Sequence, residues 1–64
     1  MPVKPKDMVT HLERHGWRLD RIKGSHYIME MAGKRPVPIP VHTRDMSKGM
    51  IAAILRQANL KGTL

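Results

Sequence analysis

The stretch PVPIPVH, residues 36–42, sets a proline at every second position. Proline has no backbone N–H and its ring collides with the preceding helical turn, so this run cannot be helical. In an extended chain successive N–H groups point to opposite edges, and Pro36, Pro38 and Pro40 share one parity. All the missing donors therefore lie along one edge, while Val37, Ile39 and Val41 keep theirs for a neighbouring strand. The run predicts an outer strand over 37–42 whose free edge is blunted against further strand addition. Its inward side chains are Val37, Ile39 and Val41, and His42 faces the other way.

An outer strand needs a partner, and the residues before it supply one. His26 to Met31 favours a pleated surface, with Tyr27, Met29 and Met31 on the more apolar face and His26, Ile28 and Glu30 on the other. Upstream, Trp17, Leu19 and Arg21 alternate with Arg18, Asp20 and Ile22, a period of two over 17–22. Lys23-Gly24-Ser25 joins these two runs as a hairpin, and a bulge near Gly24 would invert the facing. If helices cover the apolar face, His26 and His42 share the open one.

The flanks are helical. Over 5–15, Met8, Val9 and Leu12 repeat at helical spacing, Pro5 suits the first turn, Asp7 favours the amino end and Gly16 is a stop. Over 47–58, Met50, Ile51, Ile54, Leu55 and Ala58 form a wide apolar stripe, with Asp45 or Ser47 as cap and Asn59 as terminator. Each helix needs a surface to bury against, and one sheet offers it. The expected architecture is α+β, in the order α-β-β-β-α, with a three-stranded antiparallel sheet and two helices on one face. With 64 residues it forms a single domain over 1–64, without repeats.

Composition narrows the partners. Twelve Lys and Arg against five Asp and Glu give a net charge of +7, which points to a polyanion. Without cysteine there is no disulfide framework or thiolate metal site. The first residues, MPVKPKDM, are too polar for a signal peptide, and no apolar run approaches the roughly 18 residues of a membrane span. A soluble cytoplasmic protein with no membrane partner is expected.

Gly24-Ser25-His26-Tyr27, the proline-rich run, Lys48-Gly49-Met50 and the segment from Ile54 to Leu60 together resemble the HicA toxin family, at matching spacing along nearly the whole chain. The resemblance implies a double-stranded-RNA-binding-domain-like fold and an endoribonuclease, an mRNA interferase that cuts messenger RNA and inhibits translation. It also implies a HicB-type antitoxin partner in a type II toxin-antitoxin system, the toxin being a monomer alone or a hetero-oligomer with the antitoxin. The family's catalytic histidine falls on His26. A tyrosine, Tyr27, follows it where a second histidine is common.

The residue chemistry supports that implication independently. RNA carries a 2′-hydroxyl beside each phosphodiester, so a base that removes its proton makes the substrate its own nucleophile, with no metal or other cofactor required. Imidazole suits this work because its ordinary pKa lies near neutrality. Arg21, Lys23, Lys34 and Arg35 cluster in sequence at the two loops and are candidate phosphate contacts, with Ser25, Tyr27 and His42 as further RNA contacts. One imidazole cannot both accept the hydroxyl proton and protonate the leaving 5′ oxygen, so either His42 or water completes the cycle.

Other residues have simpler readings. His11 and His15 stand at i and i+4, a chelating spacing, yet HLERH is not the metalloprotease pattern and no third ligand is apparent. Trp17 can stack a base, but directly after a helix it more simply packs between helix and sheet. Tyr27 fits either role. Met8, Met29, Met31 and Met50 are core filler. The alternative function is a non-catalytic basic RNA-binding module, which would bind duplex shape without cutting. A third possibility is an interaction protein whose charge serves an acidic partner.

Overall fold

Both helix ends are set by local sequence. A computed structural model describes residues 3–42 and 44–64, with α1 spanning Pro5–Arg14 and α2 spanning Lys48–Gln57. Pro5 occupies the first turn of α1, and the Asp7 carboxylate accepts the Lys4 N–H at 2.9 Å, satisfying a donor outside the helical ladder. At the far end Gly16 takes φ +92°, its N–H bonds the Glu13 carbonyl at 3.2 Å, and the Trp17 N–H bonds that of Leu12 at 3.0 Å. This is a Schellman closure, which favours glycine at the left-handed position. A Cβ on Gly16 would also meet Cε of Met31 at 3.2 Å. α2 closes the same way with Asn59 (φ 59°), whose N–H bonds Arg56 at 3.1 Å while that of Leu60 bonds Leu55 at 2.7 Å. Its cap is Ser47, whose hydroxyl oxygen accepts the Met50 N–H at 3.1 Å, so the capping role falls to Ser47 and not to Asp45.

Between the helices lie β1 (Arg18–Lys23), β2 (His26–Glu30) and β3 (Val37–Pro40), antiparallel and in the order β1-β2-β3. The expected α-β-β-β-α order is present, and β3 is an outer strand. Tyr27 lies opposite Ile39, Met29 opposite Val37, and the Val41 N–H reaches the Ser25 carbonyl at 2.7 Å. Hydrogen-bonded pairs recur at every second residue of an antiparallel ladder. Val37, Ile39 and Val41 therefore turn their N–H groups toward β2, and the prolines line the outside. β3 closes at Pro40, short of His42, because β2 begins at His26 and offers nothing beyond the Ser25 carbonyl to pair with.

β1 breaks its alternation. Leu19 lies opposite Met29 and Arg21 opposite Ile28, leaving Asp20 as the extra residue of a β-bulge. Strict alternation groups Arg21 with Leu19, and a bulge near Gly24 would invert the facing of the later residues. The structure puts the bulge at Asp20 instead, and a one-residue slip turns every later side chain to the other face. Leu19 and Ile22 consequently share a face with Met29 and Tyr27, whereas Arg18, Arg21 and Lys23 join Glu30, Ile28 and His26.

Both helices cover the face carrying Met29, Val37 and Ile39. Met8, Val9 and Leu12 from α1 and Ile54 and Leu55 from α2 meet these residues in one core, completed by Trp17, Met46 and Ala58. Met46 belongs to no helix or strand; its N–H bonds the Val3 carbonyl at 2.8 Å, which pins the segment before α2 against the start of the chain. Met31 and Met50, expected in the core, pack at its margin. Among the described residues no helix is long and apolar enough to cross a membrane.

Candidate active site

The β1–β2 turn has only two residues, Gly24 and Ser25, since Lys23 lies directly opposite His26. Gly24 has φ +58° and Ser25 does not enter the left-handed region, the pattern of a type II′ hairpin with glycine first. So short a loop leaves no freedom in register. His26 is therefore the first residue of β2, exposed on the face the helices leave open, with Lys23 on one side and Pro40 on the other. Directly opposed side chains of an antiparallel pair have Cβ atoms about 5 Å apart, so the Lys23 ammonium can reach a group bound at the imidazole. Among the described residues no side chain hydrogen-bonds that imidazole.

Further along the same face lie Arg21, Ile28 and Pro38, then Arg18 and Glu30. The Arg21 guanidinium donates to the Asp20 carboxylate, and Arg18 pairs with Glu30 at 3.8 Å. Both pairs are exposed and contribute little to stability. Lys34 and Arg35 sit in the loop between β2 and β3, at the other end of the sheet. His26 and Glu30 are separated by about 13 Å at the rise of a strand, so Lys34 and Arg35 do not join Lys23 around one phosphate. The structure divides the four basic candidates into a near pair, Lys23 and Arg21, and a far pair.

The remaining candidates fall at the near end. Ser25 occupies the turn, and its carbonyl anchors Val41. His42 is exposed in the bend after β3, at the same end as His26. Tyr27 is half-buried and faces the helices, opposite to His26. Trp17 is 4% exposed, a core residue with no face available to a base.

His11 and His15 form a separate arrangement on α1. The Thr63 hydroxyl donates to the Leu60 carbonyl at 2.7 Å and accepts from Nε2 of His11 at 2.8 Å, while Nδ1 of His15 donates to the His11 carbonyl at 2.9 Å. Burial, followed by the nearby charges of His15 and Arg14, lowers the His11 pKa. Among the described residues no three His, Cys, Asp or Glu side chains are gathered to hold a metal. Through Thr63, His11 ties α1 to the C-terminal segment, while the His15 bond stays within the helix end.

A small basic α-β-β-β-α domain that exposes one histidine from a rigid hairpin defines the class. The family model described as the HicA toxin of bacterial toxin-antitoxin systems matches residues 5–60, and the chain belongs to that family. It is also similar to a chain of a solved "Toxin-Antitoxin complex from Streptococcus pneumoniae", at 40% identity and a TM-score of 0.82, over 92% of this chain and 100% of that one. No curated protein matches.

Proposed function

We propose that this toxin-family chain is a metal-independent endoribonuclease that cuts messenger RNA and thereby inhibits translation, with His26 as general acid/base. The observation that carries the reading is the register of the two-residue hairpin, which opposes His26 to Lys23 on the uncovered face. A nitrogen of His26 takes the proton of a ribose 2′-hydroxyl, and the 2′ oxygen attacks the adjacent phosphorus. The bond to the 5′ oxygen breaks, leaving a 2′,3′-cyclic phosphate and a 5′-hydroxyl once that oxygen is protonated. Lys23 and Arg21 offset charge developing on the phosphoryl oxygens. His42, at the same end of the sheet, is the side chain available to deliver the leaving-group proton; Lys34 and Arg35 meet the RNA further along. A toxin–antitoxin complex among similar structures supports a HicB-type antitoxin as the neutralising partner.

The test incubates purified protein with messenger RNA and compares it with His26→Ala. Cleavage should fall by about a hundredfold or more in the variant, with circular dichroism unchanged and cyclic phosphate at the wild-type ends. Chelator should leave the rate unaffected. Variant cleavage within tenfold of wild type removes His26 from the mechanism, and RNA that stays intact with both proteins reduces the chain to a binding module.

A further inference from the structure

Behind His26, on the helix-covered side, Tyr27 lines an open cleft of about 520 Å3 with Lys4, Lys6, Val41, Arg44 and Asp45. Lys4 and Lys6 flank the start of α1 and Arg44 lies in the segment before α2, so cations from two distant parts of the sequence line one cleft with an aromatic ring. Among the described residues neither ion pair, Arg18–Glu30 or Arg21–Asp20, involves them. Successive strand residues face opposite sides, which puts this cleft directly behind the imidazole. The route between them is short. β3 is an edge strand that stops at Pro40, and Val41, anchored to Ser25, forms part of the cleft wall. A polynucleotide lying across His26 and Pro40 needs only to round the end of that single strand.

We propose that this cleft is a second RNA subsite, which holds a nucleotide flanking the cleaved bond. Its base lies on Tyr27, since every base presents a face that an aromatic ring can stack. Its phosphates meet Lys4, Lys6 and Arg44. The Asp45 carboxylate only accepts hydrogen bonds, so it favours a base whose exposed edge carries N–H donors. The subsite rests on the endoribonuclease reading, extends it to residues outside the hairpin, and makes recognition depend on substrate length.

The test measures binding separately from cutting. A hexaribonucleotide with 2′-O-methyl groups cannot be cleaved, and its affinity for wild type and for the double variant Lys6→Ala/Arg44→Ala is measured by fluorescence anisotropy at several salt concentrations. The double variant should bind at least about tenfold more weakly, with a salt slope lower by about 1.4 for two lost contacts. A 2′-O-methyl dinucleotide, with one phosphate for the His26 site, should lose less than twofold. Tyr27→Leu, which keeps the core filled, should weaken the hexamer and spare the dinucleotide. Hexamer affinity unchanged within twofold in the double variant overturns the subsite and leaves the cleft to a protein partner. Equal losses for hexamer and dinucleotide also overturn it, as does failure of wild type to bind the hexamer. Cleavage of unmodified RNA by wild type is scored alongside. Intact RNA with the length-dependent loss present refutes the nuclease and leaves the cleft an RNA-binding site with no cleaved bond beside it, while cleavage without that loss keeps the nuclease and overturns the subsite.

Discussion

Ile28 and Met29 adjoin on β2 and belong to different environments. Met29 is 0% exposed, enclosed with Val37 and Ile39 beneath both helices. Ile28 lies on the open face in the row of Arg21 and Pro38, next to the row of Lys23, His26 and Pro40. Every strand contributes to both faces at once, so the side that holds the molecule together also fixes the spacing of the open side, where the proposed chemistry lies. Core and open-face positions are separated by residue parity and not by region of sequence. Substitutions on the open face should alter function with little change in folding, and substitutions beneath should do the opposite.

The sharpest way to break that separation is at His26. His26→Ala should abolish most cleavage, as above, while chemical denaturation shifts by no more than about 0.5 kcal/mol, the usual range for an exposed site. A much larger loss of stability would show that the open face also carries structure. Ile39→Ala probes the reverse. Removing a fully buried branched side chain should cost about 2–5 kcal/mol in urea unfolding, a large part of the stability of so small a domain. The fraction that remains folded should cut RNA at the wild-type rate; a slower folded fraction would couple the two faces.

A subtler probe is deletion of Asp20. As the extra residue of the bulge, it can be removed without changing which residues of β1 face His26, so stability should change by no more than about 1 kcal/mol and cleavage should persist. If β1 paired regularly, the same deletion would turn half the strand over, and activity would collapse. The smallest effect belongs to His11. Its lowered pKa means that the unfolded chain binds more protons than the folded one below about 6.5. Its contribution is therefore present above that pH and lost as pH falls, giving a slight drop in melting temperature between pH 7.5 and 5.5 that His11→Gln should remove.

These contrasts also show what could be read in advance. The prolines of the third run, the stop at Gly16 and the terminator at Asn59 each act through their own backbone, and their consequences were legible residue by residue. The place of His26 at the start of β2 followed from the short glycine-containing connection before it and the parity of β2, while the two-residue length of the turn came from the pairing of Lys23 with His26. Asp20 was not legible, because a bulge depends on how two strands pair and leaves no signal in a six-residue alternation. Strict alternation therefore placed Arg21 on the wrong face. Met46 was missed because it lies outside any periodic element and is buried by a long-range bond to Val3. That Lys34 and Arg35 stand at the far end of the sheet from Lys23 needed the strand pairing, because adjacent hairpins put their loops at opposite ends of a sheet. The cleft around Tyr27 draws on Lys4, Lys6 and Arg44, which only the folded chain brings together.

The row of pyrrolidine rings along β3 has a consequence for the crowded conditions of expression. A flat sheet with two open borders is a template on which identical copies stack into fibrils. Here one border lacks the donors needed for templating, and the other is interrupted by the protruding Asp20 and flanked by cations that repel their own kind. Neither border of the sheet thus offers a second copy an uninterrupted ladder of donors and acceptors.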